Sequence, residues 1–240
     1  MVREVVAGVY DIPDGMVHAY LVAESDLALI DSGYPGSLAR VTEGIARLGK
    51  QPTDLKEIVI THYHVDHTGN LAALQRASGA TTYVHPRDAP YVRGEAAHER
   101  LFPRGIADRL IAPIWARRTA RVKRMLEAAA VDREVADGEV LPIGDGLKVI
   151  HTPGHTLGHI SLLMLSRKVL FVGDAAANVF GLRAPIGTLF GLATADIVQA
   201  KESMRKLAML EFDVACFGHG AVLKGQAHRA FQRCVEKLAR

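Results

Sequence analysis

Hydrophobic and polar positions alternate along the first third of the chain in a pattern that predicts short strands and two helices. Apolar runs bounded by turn residues predict strands, and Pro13-Asp14-Gly15 predicts a turn between the first two of them. Apolar residues that recur at intervals of three or four positions predict helices. We expect strands at 5–12, 16–23, 27–30, 55–60 and 81–84, and helices at 37–50 and 71–78.

The second half of the chain repeats this pattern without repeating the sequence. Two blocks of strands, each followed by helix, are typical of two packed sheets with helices outside. No linker is visible, so we expect residues 1–240 to form one α+β domain, an αββα sandwich. The expected elements of this half are strands at 138–142, 146–151, 160–165, 168–173 and 214–218, and helices at 194–210 and 225–238.

Residues 87–130 differ from both halves in composition. Arginines alternate there with large apolar residues such as Phe102 and Trp115, which predicts two or three amphipathic helices interrupted near Pro103 and Pro113. We interpret the segment as a helical insert whose apolar face packs on the core. A lid over a substrate site and a homodimer surface are the alternatives, and a nucleic-acid patch is the least favoured.

Composition and charge fit a globular protein and exclude several classes. The 240 residues are 49% hydrophobic and 23% charged, and the net charge of +3 is too small to indicate nucleic-acid binding. The cysteines Cys216 and Cys234 provide no disulfide framework. The N-terminus lacks the features of a signal peptide, and no apolar stretch is long enough to span a membrane. We therefore expect a cytoplasmic protein with a small-molecule partner and no membrane contact.

A cluster of metal-ligand side chains follows the predicted strand at 55–60. Within six residues the chain carries His62, His64, Asp66 and His67. Imidazole and carboxylate groups are ligands that zinc and iron prefer. Because the cluster begins where a buried strand ends, a rigid element would direct several ligands at one point. We expect a metal to bind there.

Four more ligand-type side chains stand at the ends of predicted strands. Each follows an apolar run, and glycine lies in the turn beside it, which allows the backbone to turn tightly. Polar residues at random positions would not terminate buried strands repeatedly, so the repetition makes the pattern specific. These side chains are Asp31, His155, Asp174 and His219.

The motif His62-x-His64-x-Asp66-His67, with its three downstream partners, resembles the ligand set of the metallo-β-lactamase-fold hydrolase superfamily, in its intracellular branch of lactonases and glyoxalase II. The resemblance covers the chain from position 31 to position 220. It implies a metallo-β-lactamase fold, in which two mixed sheets flanked by helices hold the metal site in a cleft at one edge. The expected metal ligands are His62, His64, Asp66, His67, His155, Asp174 and His219.

The same resemblance implies how the ligands are divided. It assigns one metal ion to His62, His64 and His155, and a second to Asp66, His67 and His219. It makes Asp174 the bridge between the two ions, and Asp31 a partner that contacts a ligand and holds the motif loop.

Two zinc ions are the expected cofactors, with iron, manganese and cobalt as alternatives. The residues support two ions, since one ion needs three or four protein ligands and the chain offers seven. A water shared between the ions would ionise near neutral pH and attack an electrophilic carbonyl. Asp66 and Asp174 are the candidate catalytic carboxylates, with Asp66 as a proton shuttle to the leaving group.

We expect the substrate to be a lactone, an ester or a thioester. Acyl-homoserine-lactone lactonases carry a tyrosine three residues after the bridging aspartate, where this chain has Ala177, and residues 220–240 are too few for the helical C-terminal domain of glyoxalase II. The alternatives are β-lactam hydrolysis, a mononuclear iron oxidoreductase resembling persulfide dioxygenases, and hydrolysis of RNA or other phosphodiesters.

Apolar residues after Asp174 are candidates for substrate binding, with ordinary core packing as the equally favoured alternative. They are Phe180, Leu182, Ile186 and Phe190. The remaining histidines have no companion ligand nearby in sequence, so we expect them at the surface or in structural roles. They are His18, His85, His98, His151 and His228, whereas His159, four residues after His155, is a candidate hydrogen-bond donor to a ligand.

Overall fold

The computed structural model of the chain describes residues 2–97, 106–178 and 193–238. Among these residues the strands form two mixed sheets, with helices on the outer faces, as the sequence predicts. The αββα sandwich is therefore confirmed.

The first sheet contains the N-terminal strands. Its first four strands pair antiparallel, and its fourth to seventh strands pair parallel. In spatial order they are β1 (Arg3–Val6), β2 (Val9–Asp14), β3 (Val17–Ala23), β4 (Leu27–Ile30), β5 (Leu55–Val59), β6 (Thr81–Val84) and β7 (Arg133–Glu134).

The second sheet contains the later strands. Only the pair β11–β12 is parallel, and the other neighbours run antiparallel. In spatial order they are β13 (Leu223–Lys224), β12 (Val214–Phe217), β11 (Val169–Gly173), β10 (Ile160–Met164), β9 (Leu147–His151) and β8 (Val140–Leu141).

Helices cover the outer face of each sheet. Apolar residues of α1 and α3 pack on the first sheet, and those of α6 and α7 pack on the second. A separate cluster that includes Tyr20, Phe171 and Cys216 fills the space between the sheets. The helices are α1 (Leu38–Arg47), α2 (Val65–Thr68), α3 (Leu71–Ser78), α4 (Ala89–Val92), α5 (Ile106–Lys123), α6 (Ile197–Ala208) and α7 (Ala227–Leu238), with a 3-10 turn at Pro52–Asp54.

Two local predictions are wrong. The expected strand at 5–12 is two strands, because Gly8, at φ 79°, closes a tight turn in which Val6 pairs with Val9. The expected break at Pro113 does not occur, since this proline lies inside α5. A helix can lose one backbone hydrogen bond at a proline and continue beyond it. The break expected at Pro103 falls outside the described residues.

The sheet geometry brings several strand ends to one edge of the sandwich. Strands β4 and β5 run parallel, as do β11 and β12, and β9 runs with β11 because both are antiparallel to β10. Backbone hydrogen bonds join the two sheets at this edge, from Ile160 N–H to the Thr61 carbonyl and from His18 N–H to the Gly218 carbonyl, both at 2.9 Å. The segments that follow these strands therefore face one another.

None of the helices within the described residues has the length and apolar character needed to cross a membrane.

Candidate metal centre

The structure brings all seven expected ligand side chains together at the edge where the two sheets meet. Three sets of ligand atoms each lie within 4.8 Å of one another. The sets are His62, His64 and His155; His62, His67 and Asp174; and Asp66, His67 and His219. Each of these residues lies just beyond the end of β5, β9, β11 or β12.

Asp174 lies at the middle of the cluster, immediately after β11. Its Oδ2 is 3.3 Å from Nε2 of both His155 and His219. Its Oδ1 is 3.5 Å from Nε2 of His67, and His62 Nε2 lies 3.9 Å from Oδ2. One buried carboxylate therefore faces imidazoles from both sheets.

Three histidines are oriented through their outer ring nitrogens. Nδ1 of His62 lies 3.0 Å from the Thr61 hydroxyl, and Nδ1 of His219 lies 3.0 Å from the Met16 carbonyl. Nδ1 of His67 lies 2.8 Å from Oδ2 of Asp31. With Nδ1 engaged in this way, Nε2 of each ring points to the cluster, which is the arrangement that protein partners give to metal-bound histidines.

Asp31 connects the end of β4 to the segment that carries His62 and His67. It adopts a left-handed backbone conformation, with φ 59°, directly after β4. Its carboxylate accepts hydrogen bonds from the Thr61 backbone N–H (2.8 Å) and the Thr61 hydroxyl (2.8 Å), besides facing His67. Thr61 in turn contacts His62, so Asp31 orients two histidines through one carboxylate.

His159 contacts the central aspartate, but it accepts a hydrogen bond there instead of donating one as the sequence predicted. The Asp174 backbone N–H donates to Nε2 of His159 at 2.8 Å, and Nδ1 of His159 lies 2.8 Å from the Thr152 hydroxyl. The Thr152 hydroxyl lies 3.1 Å from that of Ser161, which donates to the Val172 carbonyl. Since Nε2 accepts, His159 is the neutral tautomer with a proton on Nδ1, and burial keeps its pKa well below 6.5.

Electrostatics divide the ligand imidazoles into two groups. Burial lowers the pKa of His62 and His64 well below 6.5, and neighbouring histidines add to the effect. Burial also disfavours the charged form of His67 and His219, but nearby carboxylates outweigh it and raise their pKa values to about 9 and about 11. For Asp66 the same histidine charges, with the hydrogen bond to His219, overcome burial and lower the pKa to about 2.

The donor set fits divalent metal ions. Nε2 of His62, His67 and His155 and Oδ1 of Asp174 are buried, and none has a hydrogen-bond partner among the described residues. A buried polar atom without a partner costs roughly 1–3 kcal/mol. Four such atoms at one point indicate that another group completes their interactions, and nitrogen and carboxylate ligands suit zinc or a similar ion.

The other histidines contact protein groups. Nδ1 of His18 lies 2.6 Å from Asp11, and the rings of His85 and His151 stack with centroids 4.2 Å apart. His228 lies 3.0 Å from the Phe212 carbonyl. His98 and the proposed substrate-binding residues Phe180, Leu182, Ile186 and Phe190 lie outside the described residues.

Two sheets packed between helices, with a histidine–aspartate cluster at their common edge, define a metal-binding αββα protein. The chain belongs to the metallo-beta-lactamase superfamily, whose family model matches residues 12–219. The family predicted from the ligand motif is thus confirmed.

Two similar proteins are named as hydrolases. The chain is 28% identical over 242 residues to the probable metallo-hydrolase YflN of Bacillus subtilis (strain 168), an alignment that covers 95% of this chain and 89% of that protein. It is 28% identical over 207 residues to a hydroxyacylglutathione hydrolase of Rhodopseudomonas palustris (strain BisB18), covering 83% of this chain and 61% of that enzyme.

A solved structure shows the same fold. A metallo-beta-lactamase family protein from Thermus thermophilus superposes with a TM-score of 0.72, over 98% of this chain and 81% of that one. The two sequences are 22% identical.

Proposed function

We propose that this chain is a hydrolase that uses two divalent metal ions to cleave a carboxyl ester, lactone or thioester, with zinc as the expected metal. The observation that carries the proposal is the convergence of seven ligand-type side chains, with Asp174 at their centre, where four buried atoms have no hydrogen-bond partner among the described residues. One ion requires three or four protein ligands, so this set is large enough for two.

The proposed ligands divide along the observed atom sets. His62, His64 and His155 would hold the first ion, and this trio is referred to below as the first triad. Asp66, His67 and His219 would hold the second ion as the second triad. Asp174 would serve both, because its two oxygens face histidines of each triad.

Divalent ions bound in such a site lower the pKa of water from 15.7 to about 7 and polarise a carbonyl oxygen. The residues of the chain supply the rest of the proposed mechanism. Asp174 offsets positive charge at the centre, and Asp31 keeps the ring of His67 in place with Nε2 facing inward. Asp66 is ionised at neutral pH, so its carboxylate can take a proton from the attacking water and deliver it to the leaving group, although a pKa of about 2 makes it a weak base.

The relatives support a carboxyl substrate. The match to a hydroxyacylglutathione hydrolase favours thioesters within this class, while the chain spans 61% of that enzyme. We propose a small molecule as the substrate, with neither a membrane nor a nucleic acid as partner. A homodimer built on the insert is a separate proposal, and the molecular mass in solution tests it.

A panel of substrates on metal-loaded protein tests the function. Chelator-stripped protein reconstituted with zinc should bind two equivalents and hydrolyse at least one thioester, ester or lactone, while phosphodiesters and β-lactams should react far more slowly. The stripped protein should lose the activity and regain it on addition of zinc. Two bound ions with turnover only of phosphodiesters or β-lactams would contradict the substrate class, and binding of fewer than two ions would contradict the dinuclear centre.

A further inference from the structure

Asp88 is a buried carboxylate that lies outside every ligand motif. It immediately precedes α4 and is 1% exposed. An aspartate in this position ordinarily accepts hydrogen bonds from the first N–H groups of its own helix. Here its side chain makes no such bond. Its carboxylate is directed instead toward two segments far away in sequence.

The carboxylate of Asp88 connects the two loops that supply the first triad. Its Oδ2 accepts hydrogen bonds from the Tyr63 backbone N–H (3.1 Å) and the Thr156 hydroxyl (2.7 Å), and its Oδ1 accepts from the Gly158 backbone N–H (2.8 Å). Tyr63 lies between His62 and His64, and Thr156 follows His155. A single anion therefore joins neighbours of all three ligands across the two sheets.

This connection matters most for His155, which lacks the partner that other ligands have. His62, His67 and His219 are each oriented through Nδ1 by a protein group. Both ring nitrogens of His155 are buried, and neither has a hydrogen-bond partner among the described residues. The position of this imidazole therefore depends on the backbone of its loop, which Asp88 holds at two points.

Two further contacts fit a fixed loop junction. A Cβ added at Gly158 would lie 2.3 Å from Oδ1 of Asp88, so only glycine allows this approach. The ring of Tyr91, on α4, stacks on that of Tyr63, with centroids 4.1 Å apart and planes inclined by 14°. The helix that Asp88 precedes therefore packs directly against the ligand motif.

We propose that Asp88 is the positioning residue of the first triad: it sets the distance between the His62–His64 loop and the His155 loop. The role of Asp88 in metal binding rests on the proposed function, whereas its hydrogen bonds to the two loops are contacts within the protein itself. The three hydrogen bonds to this carboxylate come from Tyr63, Thr156 and Gly158, close to the first-triad ligands. The two histidines of the second triad have other partners at Nδ1, which are Asp31 and the Met16 carbonyl. Loss of Asp88 should therefore affect the two triads unequally.

Zinc affinity tests the proposal without reference to turnover. Competition with a chelator yields both zinc dissociation constants, and His155→Ala identifies which of them belongs to the first triad. Asp88→Asn should weaken zinc at the first triad by about 10–100-fold, the usual effect of losing a partner that positions ligands. The second constant should change by less than about threefold. In the His155→Ala background, Asp88→Asn should have no further effect, because the ligand that it positions is gone.

A matched variant separates positioning from general destabilisation. Ile45→Ala removes a fully buried side chain from α1, which carries no ligand, and should lower the melting temperature while leaving both zinc constants unchanged. If Ile45→Ala and Asp88→Asn shift the zinc constants alike, or if Asp88→Asn weakens both triads equally, the positioning role is wrong.

Hydrogen exchange distinguishes failure of this inference from failure of the proposed function. In zinc-stripped protein, Asp88→Ala should speed exchange of the Gly158 and Tyr63 amides by about tenfold or more relative to amides in α7, because both lose their acceptor. If the wild-type chain binds no zinc, the metal centre is refuted, and these exchange rates still decide whether Asp88 holds the loops. Unchanged exchange at both amides would overturn the inference.

Discussion

The two proposed triads, one of three histidines and one of two histidines and an aspartate, are held in place in different ways. In the second triad, His67 and His219 have partners at Nδ1 and face carboxylates that raise their pKa values to about 9 and about 11. In the first triad, burial lowers the pKa of His62 and His64, and Nδ1 of His155 has no hydrogen-bond partner among the described residues. Side-chain electrostatics thus organise one triad, whereas burial and loop backbone organise the other.

The difference shows that a symmetrical ligand count does not make two equivalent sites. A metal ion requires neutral imidazole, so a buried neutral histidine is ready to bind, whereas a carboxylate-paired histidine must first release a proton. The paired histidines gain fixed orientation in return. In the first triad, Asp88 provides fixed orientation by holding the backbone of the two ligand loops.

Removal of Asp174 should have the largest effect, because its carboxylate faces histidines of both triads. Asp174→Ala should lower the rate of hydrolysis by about 10³-fold or more and reduce bound zinc from two equivalents to one, since metal polarisation contributes several kcal/mol. Metal analysis and steady-state kinetics measure the two effects, and circular dichroism checks that the fold persists. Retention of two tight zinc ions and full rate would remove Asp174 from the bridging position.

Single ligand deletions should separate the triads. His155→Ala should weaken only the first zinc and His219→Ala only the second, each lowering the rate by about 10²-fold. Chelator competition on both variants gives the two constants side by side. If either substitution weakened both ions equally, the division into triads would be wrong.

Loss of the contact between Asp31 and His67 should have an intermediate effect, larger in the second triad than in the first, where Asp31 reaches His62 only through Thr61. Asp31→Asn should weaken zinc there by about 10–100-fold, because the ring of His67 loses its charged partner. Asp11→Asn is a matched control: it alters another buried carboxylate paired with a histidine, His18, which is not a ligand. Zinc titration of both variants should show the loss in Asp31→Asn alone, and equal losses would contradict this role.

The smallest expected effect concerns the stacked rings of His85 and His151, beside the His155 loop of the first triad. Burial, with the charges of His151 and Arg87, lowers the pKa of His85 to about 4. The unfolded imidazole takes up a proton near pH 6.5 and the folded one only near pH 4, so protons favour the unfolded state between these values. The contribution is complete above pH 6.5 and is lost as the pH falls toward 4.

Urea unfolding at several pH values measures this effect. Between pH 6.5 and 4, the wild type should lose about 1 kcal/mol more of its unfolding free energy than His85→Gln, with partial solvent screening taken into account. Zinc-stripped protein is the sample, so that metal release does not contribute. A parallel decline in the two proteins would show that His85 does not titrate differently on folding.

The seven side chains that cluster in the structure could be predicted because they follow strand ends, either directly or in the short helix α2 after β5. An apolar run that ends in a glycine turn and a histidine or aspartate is visible locally, and parallel pairing of β4 with β5 and of β11 with β12 explains why such ends meet. Most element boundaries agree within a few residues for the same reason. The helix at Leu71–Ser78 and the strand at Thr81–Val84 match the prediction fully.

Asp31 and His159 were predicted to contact the metal-ligand residues, but two other supporting residues, Asp88 and Thr61, could not be predicted in this way. Asp88 looks in sequence like any aspartate before a short helix, and its role depends on loops that follow it by about 70 residues. Thr61 is inconspicuous beside His62, although it links Asp31 to that ring. The division of the expected strand at 5–12 did have a local signal, because Gly8 is a turn residue inside an apolar run. Tertiary contacts, which periodicity does not encode, determine the rest.

The location of the centre between the sheets has a consequence for how the chain folds. Its ligand loops extend from position 62 to position 219, and Asp31 precedes them all. Contacts between residues so distant in sequence form slowly and late. The first triad takes its residues from both sheets, since His62 and His64 follow β5 and His155 follows β9. The proposed zinc site would therefore be complete only once both sheets have formed, and a nascent chain that ends before β12 would lack His219.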